Sequence, residues 1–270
     1  MEFKIFHFKI TLEAFGMKEG FLLQNENHWS EVSPLPGRSR ETLSEVLQQL
    51  KAVQNGYQGP LFPSVEFGLF GLSSPKMTDA PVCLYLNGTV QDILKRAKAS
   101  HGCKTAKLKV GHLDVPAALF LANLLKNEFR LRLDIVGKWS QEQTTRFLSN
   151  FAPEDFEFIE DPGHDISPFP IASDDQALYS IGSIVVWKPM VKGMPQKKSP
   201  VILSSSYESG VGIHQIASLV KAWEIPSHDL GIGTAVHVQK DPLTDPPFIR
   251  EGKIHFPPEF HIKKERVTPC

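Results

Sequence analysis

Residues 105–111 read TAKLKVG, an apolar, strand-like run in which Lys107 and Lys109 stand one residue apart. Side chains two apart on a strand share a face, so two positive charges lie together on one side of a segment that otherwise looks buried. Seven other stretches have the same texture, a short apolar run that stops abruptly in polar residues: VCLYLNG (82–88), LRLDIVG (131–137), FEFIEDP (156–162), FPIASDD (169–175), SIVVWKP (183–189), PVILSSSY (200–207) and HDLGIGT (228–234). Near-continuous apolar runs suit parallel strands covered on both faces.

The connections agree. TVQDILKRAKASHG carries a capping box, Thr89 with Asp92, and ends at Gly102; VPAALFLANLLKNEF is helix-like throughout; Ser140 and Gln143 open a further helix; GIHQIASLVKAW has a helical apolar period. The stretches around 162–170 and 189–200 are too short or too rich in proline for full helices. Eight strands with mostly helical crossovers predict an α/β fold, a somewhat trimmed TIM-type (β/α) barrel. Before it, MEFKIFHFKI and GFLLQ read as strands of a small α+β unit, followed by the loop SPLPGRSR and a helix for which Ser39 is the expected N-cap and Leu43, Val46, Leu47 and Leu50 the buried stripe. The expected divisions are residues 1–76, 77–235 for the barrel, and 236–270 as a loop-and-strand segment returning to the amino-terminal unit.

With 29 basic and 30 acidic residues, the chain has no global charge to favour nucleic acid or an anionic membrane. Cys83, Cys103 and Cys270 lack metal-ligand or disulfide spacing, and no apolar run approaches the ~20 residues of a membrane span. The expectation is a soluble cytoplasmic protein with reduced thiols and no obligate protein partner.

In such barrels the site lies at the carboxyl ends of the strands. There the sequence supplies Lys107 and Lys109, then Arg132 and Asp134, Glu160 and Asp161, Asp174 and Asp175, and then Lys188. Convergent carboxylates repel unless an oxygen-seeking cation joins them, and magnesium, with manganese as a substitute, suits that donor set. Such an ion stabilises charge on a carboxylate whose α-proton is removed, and a lysine beside another cation is a candidate base. A lysine or histidine base working with one or two magnesium ions on an enediolate is well-established general chemistry.

KLK (107–109), RLD (132–134), IED (159–161), ASDD (172–175) and WKP (187–189), in that order, resemble the signature of the enolase superfamily. WSEVSPLPGRSRETL (29–43), PSVEFGL (63–69) and SSSYESGVGI (204–213) narrow the resemblance to the o-succinylbenzoate synthases, over about residues 20–235. The resemblance implies an amino-terminal α+β capping domain and a magnesium-dependent syn dehydration of 2-succinyl-6-hydroxy-2,4-cyclohexadiene-1-carboxylate in menaquinone biosynthesis. It implies Lys109 as base and then acid, Lys107 as its tuning neighbour, and Lys188 opposite. It further implies Asp134, Glu160 and Asp174 as metal ligands, with Asp175 supporting them. Substrate contacts are expected from Arg132, from Ser204, Ser205 and Ser206, and from the loop bearing Pro34 and Gly37. Val136 stands where the family usually has asparagine. The same two lysines would also serve an N-succinylamino acid racemase or dipeptide epimerase; a Schiff-base aldolase at Lys188 and a non-catalytic binding barrel are more distant readings.

Overall fold

The computed structural model describes the chain except residues 1, 13–15, 27, 175–183, 199 and 227. Three strands open it: β1 (Lys4–Leu12), β2 (Gly16–Asn25) and β3 (His28–Val32) form an antiparallel meander. Helices α1 (Leu43–Gln54) and α2 (Pro63–Gly71) follow. The N-cap of α1 is Thr42, not Ser39. Thr42 and Glu45 form a reciprocal capping box, whereas the Ser39 hydroxyl accepts from Leu35 N–H within the preceding turn. The buried faces of β1–β3 pack Ile5, Phe21, Leu23 and Val32 against Val46, Leu50 and Val65, which makes a core of its own.

After β4 (Asp79–Pro81) the parallel strands begin: β5 (Leu84–Leu86), helix α3 (Val90–Lys98), β6 (Thr105–Lys109), α4 (Val115–Leu125), β7 (Arg130–Asp134), α5 (Gln141–Leu148), β8 (Phe156–Glu160), β9 (Ile171–Ser173), β10 (Ile184–Trp187), the single-turn α6 (Pro189–Lys192), β11 (Val201–Leu203) and α7 (Gly210–Trp223). The capping boxes at Thr89 and Ser140 start α3 and α5 as the sequence predicts. Strands β5 to β11 pair in sequence order, each parallel to the next. The eighth run, HDLGIGT, makes only single bridges, Leu230 with Val82 and Gly231 with Ser204. These bridges join the two edges of the seven-stranded sheet and close the barrel. Glycine is needed there: a Cβ on Gly231 would stand 2.6 Å from Ser204 Oγ, and one on Gly233 would stand 2.4 Å from the Cys83 carbonyl oxygen.

The outward faces of the strands and the inner faces of the helices form the main core, and a smaller cluster of Phe158, Ala172, Val186 and Ile202 fills the barrel interior. The pleat therefore puts Arg132 and Asp134, Phe158 and Glu160, Ala172 and Asp174, and Val186 and Lys188 on the inward side. The final segment divides. Strands β12 (Val238–Gln239) and β15 (Val267–Pro269) pair with β1, while β13 (Phe248–Arg250) and β14 (Lys253–His255) form a small sheet with β4.

Candidate active site

Lysines and carboxylates meet at the mouth of the barrel. In the β6–β7 register Lys107 lies opposite Arg132 and Lys109 opposite Asp134, while β7–β8 sets Asp134 beside Glu160. Lys107 Nζ contacts both Glu160 oxygens, at 2.7 and 2.6 Å, and Asp134 Oδ2 at 3.0 Å. Lys109 Nζ lies 2.9 Å from that same Asp134 oxygen. Across the barrel, Lys188 pairs with Asp174 Oδ2, and Lys192 stands 3.5 Å from Asp174 Oδ1.

Environment separates these charges. Burial alone would lower the Lys107 pKa, but Asp134 and Glu160 outweigh it and hold the ammonium well above the ordinary lysine range. Asp134 is buried too, yet Lys107 and Lys109 drive its carboxyl far below the usual range. For Glu160 the balance tips the other way, and burial raises it despite Lys107. Asp174 is lowered, Lys188 overcoming the effect of burial, whereas burial raises Asp161.

Glu160, Asp161 and Asp174 each offer a carboxylate oxygen, and these oxygens all lie within 4.8 Å of one another. Oxygens on opposite sides of a magnesium ion stand about 4.2 Å apart, so a small adjustment suits the group to a hard divalent cation. Asp161 is the member the sequence reading did not nominate as a ligand. Its Oδ1 accepts from Asp174 N–H at 3.0 Å and from Ser173 Oγ at 3.2 Å, which fixes it beside Asp174. Asp134 is tied to Glu160 through the Lys107 ammonium. Asp175 lies outside the described residues.

Lys107, Lys109 and Lys188 line one pocket of about 40 Å³ with Cys83, Tyr85, Ser204, Ser205, Tyr207, Gly231, Gly233 and Thr234. A larger cavity of about 390 Å³, against His214 and Phe260, shares no residue with it and holds none of the strand-end groups. Ser205 Oγ and Thr234 Oγ1 stand 2.5 Å apart, and the Tyr85 and Tyr207 hydroxyls 3.0 Å. The sequence reading did not nominate the tyrosines; Tyr85 alternates inward with Cys83 on the first strand, a signal the sequence did contain.

Three expected substrate contacts are placed elsewhere. Arg132, only 2% exposed, reaches toward the start of the strands, where it pairs with Glu157 at 2.7 Å, donates to the Asp229 carbonyl at 2.8 Å and lies over the Phe158 ring. It is a buried ion pair below the pocket. Ser206 turns away and donates to Glu208 through both its hydroxyl and its N–H. The loop holding Pro34 and Gly37 packs on the helix after Lys188, with Ser33 N–H directed at Met190 Sδ at 3.2 Å, and neither residue lines the lysine pocket. Backbone N–H groups of Ser204 and Ser205 are also engaged, by Trp187 O and Gly231 O, while the Ser204 hydroxyl donates to Gly231 O at 3.2 Å and the Ser205 hydroxyl pairs with that of Thr234.

A second charged group lies behind the pocket. Lys18 of β2 is 2% exposed and donates to the carbonyls of Ser206 at 2.8 Å and Tyr207 at 3.3 Å. Glu31 of β3, fully buried, accepts from Ser33 Oγ at 2.5 Å, Ser209 N–H at 3.0 Å, Gly212 N–H at 3.1 Å and the Ser209 hydroxyl. It thereby sits on the N-terminus of α7, where the unsatisfied amides favour an anion. Burial raises Glu31 to about 7, with Lys18 opposing, while burial lowers Lys18 against the pull of Glu208 and Glu31. Glu208, just before the Ser209 N-cap of α7, is buried and accepts from both the N–H and the hydroxyl of Ser206.

The chain superimposes on a muconate lactonizing enzyme from Pseudomonas fluorescens complexed with muconolactone (TM-score 0.71, 13% identity, 98% of this chain and 97% of that one). It also superimposes on an o-succinylbenzoate synthase from Thermosynechococcus elongatus BP-1 with magnesium in its active site (TM-score 0.66, 20% identity, 91% and 96%). The fold is the one these two enzymes share, a modified TIM barrel with an added α+β unit. No protein-family model matches the chain. In sequence it is 30% identical over 257 residues to the o-succinylbenzoate synthase of Klebsiella pneumoniae (strain 342), covering 76% of this chain and 78% of that protein, and 28% identical over 255 residues to that of Enterobacter sp. (strain 638). The chain belongs to the o-succinylbenzoate synthase family, and with it to the carbon–oxygen lyases. Among the described residues no helix is long and apolar enough to cross a membrane.

Proposed function

We propose that this chain dehydrates 2-succinyl-6-hydroxy-2,4-cyclohexadiene-1-carboxylate to 2-succinylbenzoate by syn elimination of water, in menaquinone biosynthesis. One observation carries the reading. Lys109 and Lys188 line a single pocket from opposite sides of the barrel, with carboxylates of three successive strands between them.

Magnesium, held by Glu160, Asp174 and Asp134, would supply Lewis-acid stabilisation of negative charge on the substrate carboxylate. Lys109, in its neutral form, takes the proton from the carbon bearing that carboxylate. The same ammonium then returns a proton to the departing hydroxyl, which requires both groups on one face of the ring and makes the elimination syn. Lys107 stays charged against Asp134 and Glu160 and shares the Asp134 Oδ2 oxygen with Lys109, which fixes the two lysines side by side. Lys188 faces the enediolate from the other side as a charged donor. The hydroxyls of Ser204, Ser205 and Thr234 meet the succinyl arm, and Asp161 keeps Asp174 in place. The loop at 33–37, part of a capping domain over residues 1–76, closes the barrel of residues 77–235 through its packing on α6. The reading makes the protein a cytoplasmic enzyme acting on a small carboxylate without an obligate partner.

The test is aromatisation of the cyclohexadiene followed by ultraviolet absorbance in the presence of magnesium. Turnover by the wild type and its loss in Lys109→Ala are expected; no wild-type turnover, or undiminished turnover in the variant, overturns the assignment. Because the two lysines face each other across the pocket, racemisation of N-succinylamino acids is the second reading. Proton–deuterium exchange at Cα of both enantiomers, with no dehydration, would favour it.

A further inference from the structure

Lys192 belongs to no strand end. It sits four residues after Lys188 on α6, and its side chain is 8% exposed. Its ammonium lies 3.5 Å from Asp174 Oδ1, donates to the Val186 carbonyl at 2.8 Å and stands 5.6 Å from the centre of the Trp187 ring. Lys188 holds the other Asp174 oxygen, so both oxygens of this carboxylate face ammonium groups. Among the described residues, the carboxylates Asp134, Glu160, Asp161 and Asp174 thus face the ammonium groups of Lys107, Lys109, Lys188 and Lys192, and the formal charges cancel. A divalent cation entering this secluded group adds two positive charges; a dicarboxylate brings two negative ones.

We propose that Lys192 is a positioning residue that couples cation and substrate, holding Asp174 in competition with the divalent ion until a dicarboxylate brings the compensating charge. The inference rests on the cation-dependent reading of the site given above. Each ligand must strengthen the other by the same factor, because coupling between two binding equilibria is reciprocal. With three lysines the site would carry a net negative charge and take the cation readily by itself. With four it takes the cation well only in the company of the dianion.

Manganese serves as probe, because the electron paramagnetic resonance signal of the free aquo ion reports binding without turnover. Its dissociation constant is measured for the wild type, Lys192→Met, Lys192→Gln and Lys192→Arg, each with and without saturating 2-succinylbenzoate. The dicarboxylate should tighten manganese binding to the wild type by about 5- to 150-fold, the usual span of coupling between sites. Lys192→Met and Lys192→Gln should bind manganese alone about tenfold more tightly than the wild type, the effect of removing one charge beside a carboxylate, and lose most of the coupling. Lys192→Arg should restore wild-type behaviour, which a merely structural role for the side chain would not require. Wild-type affinity in a folded uncharged variant, or no effect of the dicarboxylate on the wild type, overturns the proposal; the second measurement decides it even where the uncharged variants do not fold. Failure of the wild type to bind manganese under either condition overturns the cation reading together with it. Coupling without dehydration overturns the reaction assignment alone.

Discussion

Replacing Lys18 by methionine keeps an unbranched side chain but removes a buried ammonium from between two elements. In the wild type it donates to the carbonyls of Ser206 and Tyr207 and offsets the charges of Glu31 and Glu208. Removing one partner from a buried charged group costs about 3–5 kcal/mol, because the remaining charges are left uncompensated. For a folding free energy of about 5–15 kcal/mol this is a large share, and with a urea slope of about 3 kcal/mol per molar it moves the midpoint by on the order of 1 M. The loss depends on pH in a specific direction. Glu31 has a folded pKa raised from 4.5 to about 7, so the folded state binds its proton more tightly than the unfolded state does. The stability it lends is fully present below pH 4.5 and disappears as pH rises through 7, about 3 kcal/mol at 1.36 kcal/mol per pH unit. Without Lys18, which holds this pKa down, the folded value moves higher. The gap between variant and wild type is therefore smallest near pH 5 and widens as pH rises past 7. Urea denaturation followed by circular dichroism from pH 5 to 8 measures it. A loss below about 1 kcal/mol, or a gap that is flat with pH, would show that Lys18 does not compensate Glu31 and refute the reasoning.

Arg132→Met should lower stability by about 3–5 kcal/mol by leaving Glu157 with only the long 3.9 Å contact to Arg130, with KM unchanged in the folded enzyme; a normal urea midpoint and a raised KM would return Arg132 to the substrate. Val136 has a φ of 59°, costly for a β-branched residue and tolerated by asparagine, so Val136→Asn should raise the urea midpoint by the equivalent of about 1 kcal/mol. Chelation with EDTA should abolish dehydration and added magnesium restore it, as followed by absorbance; full activity after exhaustive chelation would contradict the charge-stabilising role of the cation.

The barrel was legible because its signal is repetitive. Each apolar run needs two covered faces, and each ends where the chain leaves the sheet, so the type of fold and the strand-end lysines and carboxylates could be read together. Reach was not legible. Two-residue alternation shows that Arg132 points inward, as Lys107 does, but not that its long side chain turns toward Glu157 and Asp229 at the far end of the barrel. Ser206 shared the polar run with Ser204 and Ser205, and only the fold reveals that Glu208 claims it. Lys18 and Glu31 lie on strands whose exposed and buried faces the sequence alone did not distinguish. Lys192 was hidden because a single helical turn after a strand end brings it back over Asp174, a return that strand counting does not register.

The pairing of Lys18 with carbonyls 188 and 189 positions further along the chain also bears on inheritance. A recombination event that exchanged the first strands for those of a relative would keep Glu31 with Lys18 but separate both from Ser209 and Glu208. Hybrids crossing over between residues 32 and 204 are therefore penalised unless both parents carry the same set of charges. The amino-terminal sheet and the loop behind Tyr207, distant in sequence, have to be passed on as a single unit.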